Sequence, residues 1–344
     1  MPVYIRIITS FFISLFFSLF SVRIVVGVIA KLNLCDKPGI RSSSEKPATP
    51  TLGGIAIFFS FILASTIGLF GYEFPEWTFI ILATMVIFFI GLKDDLLTLP
   101  PHMKINGQII VSVIIIFFAK IRFTNLQGLF GLGEIGMISS VLITIFTIIV
   151  IINAFNLMDG IDGLAAGLTM MAALIFGGWF LISNHIDYAI ISFSLVGTLA
   201  GFFFYNVYGK RNKILLGETG TQLLGTIIAI LLIKFNECNI DQTQPYAVPS
   251  VPIISFGIIF YPLFDTFRVL LLRIANPRTS SGTNKNHLHH RLHTAGFSHQ
   301  KITYTILGFN LMIAVFIFLI QRLGILRLTP HPTALGAAFS WFLH

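Results

Sequence analysis

The chain has 344 residues, 55% of them hydrophobic and only 10% charged, with a mean hydropathy of +0.88. This composition excludes an ordinary soluble domain, in which about a quarter of the residues are charged. The net charge of +8 is carried by no long basic tail, so it indicates membrane orientation and phosphate-bearing partners rather than nucleic acid. We predict an all-α polytopic integral membrane protein with one domain, residues 1–344.

The apolar windows predict about ten transmembrane helices. The first is too long for the core of a signal peptide and lacks an A-x-A-like cleavage site, so we expect it to be retained. The predicted spans are residues 8–31, 52–70, 77–92, 107–120, 137–156, 164–182, 188–207, 220–235, 248–272 and 303–322.

Connections that contain lysine or arginine alternate along the chain with connections that contain neither. Three connections without either residue are 71–76, 183–187 and 236–247. By the positive-inside rule the basic connections face the cytoplasm, and both termini are then external. The connection 120–136 is an exception that would be external, and its alternating pattern indicates a small β-hairpin. Cys35 and Cys238 fall on opposite sides, so we expect two free thiols without a redox role.

A polar cluster follows the uncharged span that ends near residue 152. Asn153, Asn156, Asp159 and Asp162 recur every third residue, and on a helix they would lie along one slowly rotating edge. Acids at a membrane boundary are costly unless they meet a cation, a metal or water, so they indicate a functional site. The alternative is a pair of solvated loop acids.

Two further acidic motifs suit a metal and a phosphate. Asp94 and Asp95 end an apolar run, and adjacent carboxylates are ligands that Mg²⁺ accepts while keeping positions for water and phosphate. A charged helix end is the alternative. Glu218 lies between Gly217 and Gly220 just before a predicted helix, whose first amides and positive dipole end favour anions. This last motif is weak by itself, because many helices begin in this way.

A histidine-rich loop follows the ninth span. His287, His289, His290, Arg291 and His293 lie within seven residues. Zinc binding is one interpretation, but the spacing, the lack of a nearby cysteine and the enclosed arginine suit it poorly. Phosphate recognition by imidazole and guanidinium groups is the interpretation we favour.

The ninth span carries an acid near its cytoplasmic end. Asp265 precedes Arg268 by three residues, and an internal ion pair is the account we favour. We expect Pro249, Pro252 and Pro262 to kink this span.

All of these motifs fall on the cytoplasmic side of the predicted topology and would meet in one cleft. Acids for magnesium, an anion-binding helix start and a basic histidine loop on one membrane face predict phosphoryl transfer at the interface. We find no inverted repeat, which weakens a transporter interpretation.

The chain resembles the polyprenyl-phosphate N-acetylhexosamine-1-phosphate transferases of glycosyltransferase family 4, from Asp36 to about Lys301. The shared motifs, in order, are D-x-P with P-T-L-G-G, the D-D pair, N-x-x-N-L-x-D-G-x-D-G-L-A, G-[DE]-T-G and H-x-H-H-R-L. The resemblance implies a multi-pass protein of the bacterial inner membrane that transfers a sugar 1-phosphate from a UDP-sugar to undecaprenyl phosphate. It also implies release of UMP, a need for Mg²⁺ with Mn²⁺ as a substitute ion, and a homodimer as one oligomeric state to consider.

The resemblance also assigns residues. Asp94, Asp95 and Glu218 match metal-binding positions, and Asp94 is the candidate base. The remaining matches are Lys46, Asn156, Asp159, Asp162 and Arg291 around the substrates and His287, His289 and His290 in the cytoplasmic histidine motif.

Three positions depart from the family pattern. Glu218 stands where aspartate is usual, Leu215 where an aromatic residue is frequent, and Ser43 and Glu45 where a basic pattern is common. The histidine motif is closer to the branch that transfers N-acetylglucosamine 1-phosphate for surface polysaccharides. The alternatives are the phospho-MurNAc-pentapeptide translocase of peptidoglycan synthesis, a transporter, and an inactive scaffold homologue, the last suggested by Glu218.

Overall fold

The structure is a computed structural model that describes residues 2–32, 51–210, 212–275 and 287–322. Twelve α-helices form the described part of the chain, and a π-helical turn, Ile114–Phe118, extends the fourth. The helices are α1 (Val3–Leu32), α2 (Gly53–Leu69), α3 (Glu76–Leu97), α4 (Pro101–Val113), α5 (Met137–Asn156), α6 (Leu164–Ile182), α7 (Ile186–Tyr208), α8 (Gly217–Glu237), α9 (Val251–Ile258), α10 (Phe260–Ala275), α11 (Leu288–Thr294) and α12 (His299–Arg322).

The helical class and the membrane character of the sequence prediction are confirmed. Helices α5 and α6 begin and end at the predicted residues. Within the described ranges, seven helices are long and apolar enough to span a membrane, and the bent pair α9 and α10 gives an eighth if it is one span. Helix α2 is apolar but has 17 residues. The chain is therefore a multi-pass membrane protein, while ten spans and the orientation of the termini stay predictions.

The connection before α5 folds back on itself without forming strands in the described residues. The Leu126 amide donates to the Gly133 carbonyl at 2.9 Å, and the Ile135 amide donates to the Thr124 carbonyl at 3.0 Å. One isolated antiparallel bridge lies between them, and a 3-10 turn, Leu129–Gly131, forms the tip. The predicted β-hairpin is thus represented by a turn with hairpin-like hydrogen bonds.

Helix α8 lies at the centre of the bundle and packs against α2, α3, α5, α6 and α9. Nearly all of its residues are buried, so it is the element from which the others are positioned. Glycines allow the close approach that packing in a membrane favours. A Cβ atom at Gly225 would lie 2.7 Å from the Cα of Ile152 on α5, and one at Gly91 would lie 2.5 Å from the Cα of Thr219.

The ninth predicted span is broken, and its halves α9 and α10 meet at 82°. Pro252 and Pro262 lie in the first turns of these halves, where a missing amide proton costs least. Pro262 cannot donate to the Ile258 carbonyl, and the Asn310 side chain of α12 donates to that carbonyl instead, at 2.8 Å. The Asn310 side-chain oxygen also accepts the Tyr261 amide at 2.8 Å. The predicted kink is confirmed, and one side chain stabilises it.

Candidate active site

The connection between α3 and α4 holds the first carboxylate. Asp94 is fully buried, and one of its oxygens accepts the Leu99 amide at 2.6 Å. The other lies 2.5 Å from the Lys104 ammonium, which is also 3.3 Å from Glu218. Two prolines, Pro100 and Pro101, end the turn, so α4 begins where its first turn carries Lys104 to the acids. A lysine thus bridges two of the predicted metal ligands.

Asp95 fixes the start of α8. Its two oxygens accept the amides of Glu218 at 2.8 Å and Thr219 at 2.9 Å, and the Thr219 hydroxyl donates to the second oxygen as well. The anion held by these two amides is therefore a carboxylate of the protein, which satisfies donors that a helix start leaves open. Gly217 permits this geometry with φ of 73°, and a Cβ atom there would lie 1.9 Å from the Thr51 carbonyl oxygen.

Asn156 joins the end of α5 to the same acid. Its side-chain amide donates to Glu218, and it also donates to the Thr221 hydroxyl at 3.1 Å. Glu218 is therefore held by an amide from α5 and an ammonium from α4, while its own backbone is held by α3. Three helices fix this carboxylate in position.

Asp159 lies in the turn between α5 and α6. Solvent reaches its side chain although protein atoms surround it on most sides, as at the floor of a cleft. Burial and the negative charges of Asp95 and Glu218 raise the pKa of Asp159 to about 7. The acidic cluster thus contains the carboxylates of Asp94, Asp95, Asp159 and Glu218. Lys104 pairs with two of them, Asp94 and Glu218.

Asp162 is paired differently. Its carboxylate lies 2.6 Å from the Lys213 ammonium and 3.1 Å from the His299 ring, and its carbonyl accepts the Thr303 hydroxyl at 2.7 Å. Burial by itself raises the pKa of Asp162, but the hydrogen bonds from His299 and Lys213 outweigh it and hold the pKa below its usual value. Asp162 therefore ties the turn after α5 to α12 and to the segment after α7.

The histidine motif packs over this turn. His290 lies beside Gly160, where a Cβ atom would be 3.5 Å from the ring. The ring of His289 is 4.5 Å from that of His290 and 5.4 Å from that of His287, measured between centroids. Burial and the neighbouring His290 ring lower the pKa of His289 well below its usual value, so that ring is neutral. Arg291 lies on the exposed side of α11.

The structure brings together most of the predicted site residues. Asp94, Asp95, Asn156, Asp159 and Glu218 form one cluster, and the turn after Asn156 connects it to the three histidines. Lys46 lies outside the described residues. Within the described ranges, the trio whose ligand atoms all lie within 4.8 Å is Asp265, His287 and His289 rather than the predicted acids.

Sequence reasoning missed residues that neutralise or fix these acids. The sequence analysis assigns no role in the site to Lys104, Lys213 or His299. Asn206 accepts the Gly163 amide and donates to the Ile214 carbonyl at 2.7 Å, joining the two segments that flank Asp162. The sequence offers one local signal that Lys104 lies near the acids: it is in the helical turn directly after a double proline.

Comparison with known proteins gives consistent similarities. The sequence profile of glycosyl transferase family 4 matches residues 77–236. A probable undecaprenyl-phosphate N-acetylglucosaminyl 1-phosphate transferase of Bacillus subtilis (strain 168) is 31% identical over 297 residues, which cover 86% of this chain and 80% of that protein. The undecaprenyl-phosphate alpha-N-acetylglucosaminyl 1-phosphate transferase of Escherichia coli (strain K12) is 26% identical over 275 residues, covering 79% and 72%. Its namesake in Pasteurella multocida (strain Pm70) is 29% identical over 282 residues, covering 79% and 74%.

Proposed function

Since this chain belongs to glycosyl transferase family 4, we propose that it transfers a sugar 1-phosphate from a UDP-sugar to undecaprenyl phosphate, forming undecaprenyl-diphospho-sugar and UMP. The sugar 1-phosphate is N-acetylglucosamine 1-phosphate, as the names of the relatives suggest, and the product begins a cell-envelope polysaccharide. The observation that carries the proposal is the cluster of four carboxylates, two of them paired with Lys104, which meets the histidine motif at one end of a membrane bundle.

In this proposal Asp94, Asp95 and Glu218 hold a magnesium ion, with Mn²⁺ as a substitute. The fit rests on the donor set, because hard carboxylate oxygens are the ligands that Mg²⁺ prefers. It also rests on position, because Lys104 already lies between Asp94 and Glu218, where a positive charge is stabilised. When bound, the ion supplies Lewis acidity and neutralises phosphate charge. Asp95 contributes mainly by fixing Glu218, since its oxygens accept amides of α8.

The reaction is a displacement at phosphorus. An oxygen of the acceptor phosphate attacks the β-phosphorus of the donor, a new P–O bond forms, and the bond to the bridging oxygen breaks so that UMP leaves. In this proposal Asp94 accepts any residual proton from the acceptor. A phosphate monoester with a second pKa near 6 is already largely ionised, so this assistance is small at neutral pH. Arg291 stabilises charge on the diphosphate, and the histidines form hydrogen bonds with the sugar nucleotide.

The acceptor is a membrane lipid, and an apolar groove offers a place for its chain. The groove has a volume of about 430 Å³ and lies beside the bend between α9 and α10. Its lining residues are Ile253, Phe256, Gly257, Phe260, Leu263, Phe264, Phe267 and Ile317. Asp265, the residue after Phe264 on α10, contacts His287, so the groove and the histidine motif lie against the same helix. We place this end of the bundle at the cytoplasmic face, where a nucleotide-linked donor is available.

The test is UMP release by detergent-purified protein given undecaprenyl phosphate, magnesium and a panel of UDP-sugars, with each component omitted in turn. Release that requires both lipid and metal supports the reaction and identifies the sugar. No release with any donor, from protein shown to be folded by a cooperative melting transition, would contradict the proposal and favour the scaffold alternative. A preference for UDP-MurNAc-pentapeptide over UDP-GlcNAc would instead identify the peptidoglycan translocase.

A further inference from the structure

Asp265 makes contacts that an ion pair with Arg268 does not explain. The carboxylate is 1% exposed and accepts the His287 ring nitrogen Nδ1 at 2.7 Å. It also accepts the Leu288 amide at 3.0 Å and the Arg268 guanidinium at 2.9 Å. Its partners therefore come from α10 itself and from the first residues of the histidine motif, 22 and 23 positions further along the chain. One buried acid thus fixes where the motif begins.

The contact with His287 determines the protonation of its ring. An ionised carboxylate only accepts hydrogen bonds, so Nδ1 carries the proton in this contact and Nε2 of a neutral ring has a free lone pair. His287 is 1% exposed, and its Nε2 has no hydrogen-bond partner among the described residues. Both ring nitrogens of the fully buried His289 also lack such a partner. Buried polar atoms are normally satisfied, so these three nitrogens indicate a missing polar ligand.

The three ring nitrogens without a partner belong to histidines that connect to the acidic cluster through His290. The rings of His287, His289 and His290 are in contact with one another, and His290 reaches Gly160, next to Asp159. A ligand long enough to reach from the acidic cluster past Asp159 would meet imidazoles whose positions depend on Asp265.

We propose that Asp265 is a positioning residue for sugar 1-phosphate transfer: it holds His287 in the Nδ1–H tautomer and fixes the start of α11, so that Nε2 is left to accept a hydrogen bond from a hydroxyl or amide group of the bound sugar nucleotide. This inference rests on the proposed function for its ligand. Asp265 does not touch the substrate and acts through His287. A carboxylate that orients a histidine by accepting Nδ1–H has this role in other enzymes.

The side chains of Asp265, His287 and His289 also have the composition of a metal site. The geometry instead favours a role for Asp265 in orienting His287. Two ligands of one tetrahedral zinc are about 3.3 Å apart, given metal–ligand bonds near 2.0 Å. The 2.7 Å between Nδ1 of His287 and Asp265 is the length of a charge-assisted hydrogen bond. Arg268 also places a positive charge 2.9 Å from the same carboxylate, which opposes a second cation.

The first experiment compares kcat and KM for UDP-GlcNAc in Asp265→Asn, His287→Ala and the double variant. We expect each single change to lower kcat by about 100-fold or more. Because Asp265 acts through His287, the double variant should be no slower than His287→Ala. Losses that multiply in the double variant, or a kcat of Asp265→Asn within threefold of the unmodified enzyme, would overturn the proposal. The matched control is His185→Ala, a histidine that stacks on Trp179 between α6 and α7, away from the histidine motif, and this variant should keep full turnover.

Two further measurements keep the inference testable if Asp265→Asn does not fold. In protein with ¹⁵N-labelled histidine, His287→Ala identifies the ring signals of His287, and we expect a proton on Nδ1. A proton on Nε2 would overturn the proposal, and so would one equivalent of tightly bound zinc in the purified protein. If the unmodified enzyme releases no UMP, the proposed function fails, while the tautomer measurement still tests the contact between Asp265 and His287.

Discussion

The two ends of the helix bundle differ in how completely their charged side chains are paired. At the end away from the cleft, Lys234 lies 3.2 Å from one oxygen of Glu76 and 4.9 Å from the centre of the Tyr188 ring. The Tyr188 hydroxyl donates to the other oxygen of Glu76. At the cleft end, four carboxylates lie together and Lys104 pairs with two of them, while several imidazole nitrogens have no hydrogen-bond partner among the described residues.

This difference separates structural polar groups from functional ones. The Glu76 network pairs one acid with one base and one hydroxyl, so it stabilises the fold and leaves nothing to bind. The cleft holds an excess of negative charge that is costly near a membrane and persists where a cationic ligand offsets it. Changes at the cleft should therefore affect turnover, and changes at the opposite end should affect stability.

The largest effect is expected for Glu218→Ala. Loss of a metal ligand should reduce UMP release by about 100-fold or more, since metal-assisted charge stabilisation contributes several kcal/mol. Glu218→Asp restores the residue usual in the family and is the matched control, so we expect it to stay within tenfold of the unmodified enzyme. Initial rates across a magnesium titration provide the measurement. Full magnesium-dependent turnover in Glu218→Ala would exclude Glu218 as a ligand.

A smaller loss of turnover is expected for Asn156→Ala. Asn156 donates to Glu218, and loss of a residue that supports a metal ligand reduces activity by about 10- to 100-fold. Asn153 is three residues away but donates to Gln108 and to the Ile149 carbonyl. Asn153→Ala should therefore keep turnover within about twofold and lose stability of about 1 kcal/mol. Equal turnover in the two variants would contradict the assignment of Asn156 to the site.

Two glycines with the same backbone conformation test crowding at the cleft. Gly71 has φ of 72° with no atom within 4 Å of an added Cβ, and Gly217 has φ of 73° with Thr51 at 1.9 Å. Gly71→Ala should cost about 1–2 kcal/mol of stability through the backbone alone. Gly217→Ala should cost more and should also lower turnover. Denaturation in detergent compares them, and equal losses would show that the contact with Thr51 does not constrain Gly217.

The smallest effect on turnover is expected for Lys234→Met at the opposite end. The substitution removes the positive partner of Glu76 and should lower stability by about 1–3 kcal/mol, because a partly buried charge loses its hydrogen bond. UMP release per folded molecule should be unchanged. Melting temperature and specific activity of the same preparation test both statements. A loss of specific activity beyond twofold would show that the two ends are energetically coupled.

Much of the fold was predictable because long apolar segments leave few alternatives to membrane helices. The bounds of α5 and α6 follow from the abrupt change between apolar and polar residues at Asn156 and Gly163. The break at Ile259 was less predictable: prolines indicated a kink, but its position depends on Asn310, which is far away in sequence. Contacts between distant helices are not encoded in local periodicity.

The candidate site was predictable in its acids and much less in its cations. Carboxylates stand out in an apolar sequence, so Asp94 and Glu218 are candidate site residues from the sequence alone. Lys104 is one of several basic residues in the connections, and only the packing of α4 against α3 shows that it bridges the acids. Asp265 was predicted to pair with Arg268, which is confirmed, but its contact with His287 depends on a return of the chain that spacing does not reveal.

The Asn310 side chain at the break between α9 and α10 makes the bend a fixed elbow. Opening the elbow would leave the buried Ile258 carbonyl and Tyr261 amide without partners, so the two halves cannot swing independently at low energy. The groove beside the elbow therefore keeps its shape whether or not a lipid tail lies in it. Because α10 also carries Asp265, a bulky substitution at position 310 should disturb the histidines without touching them.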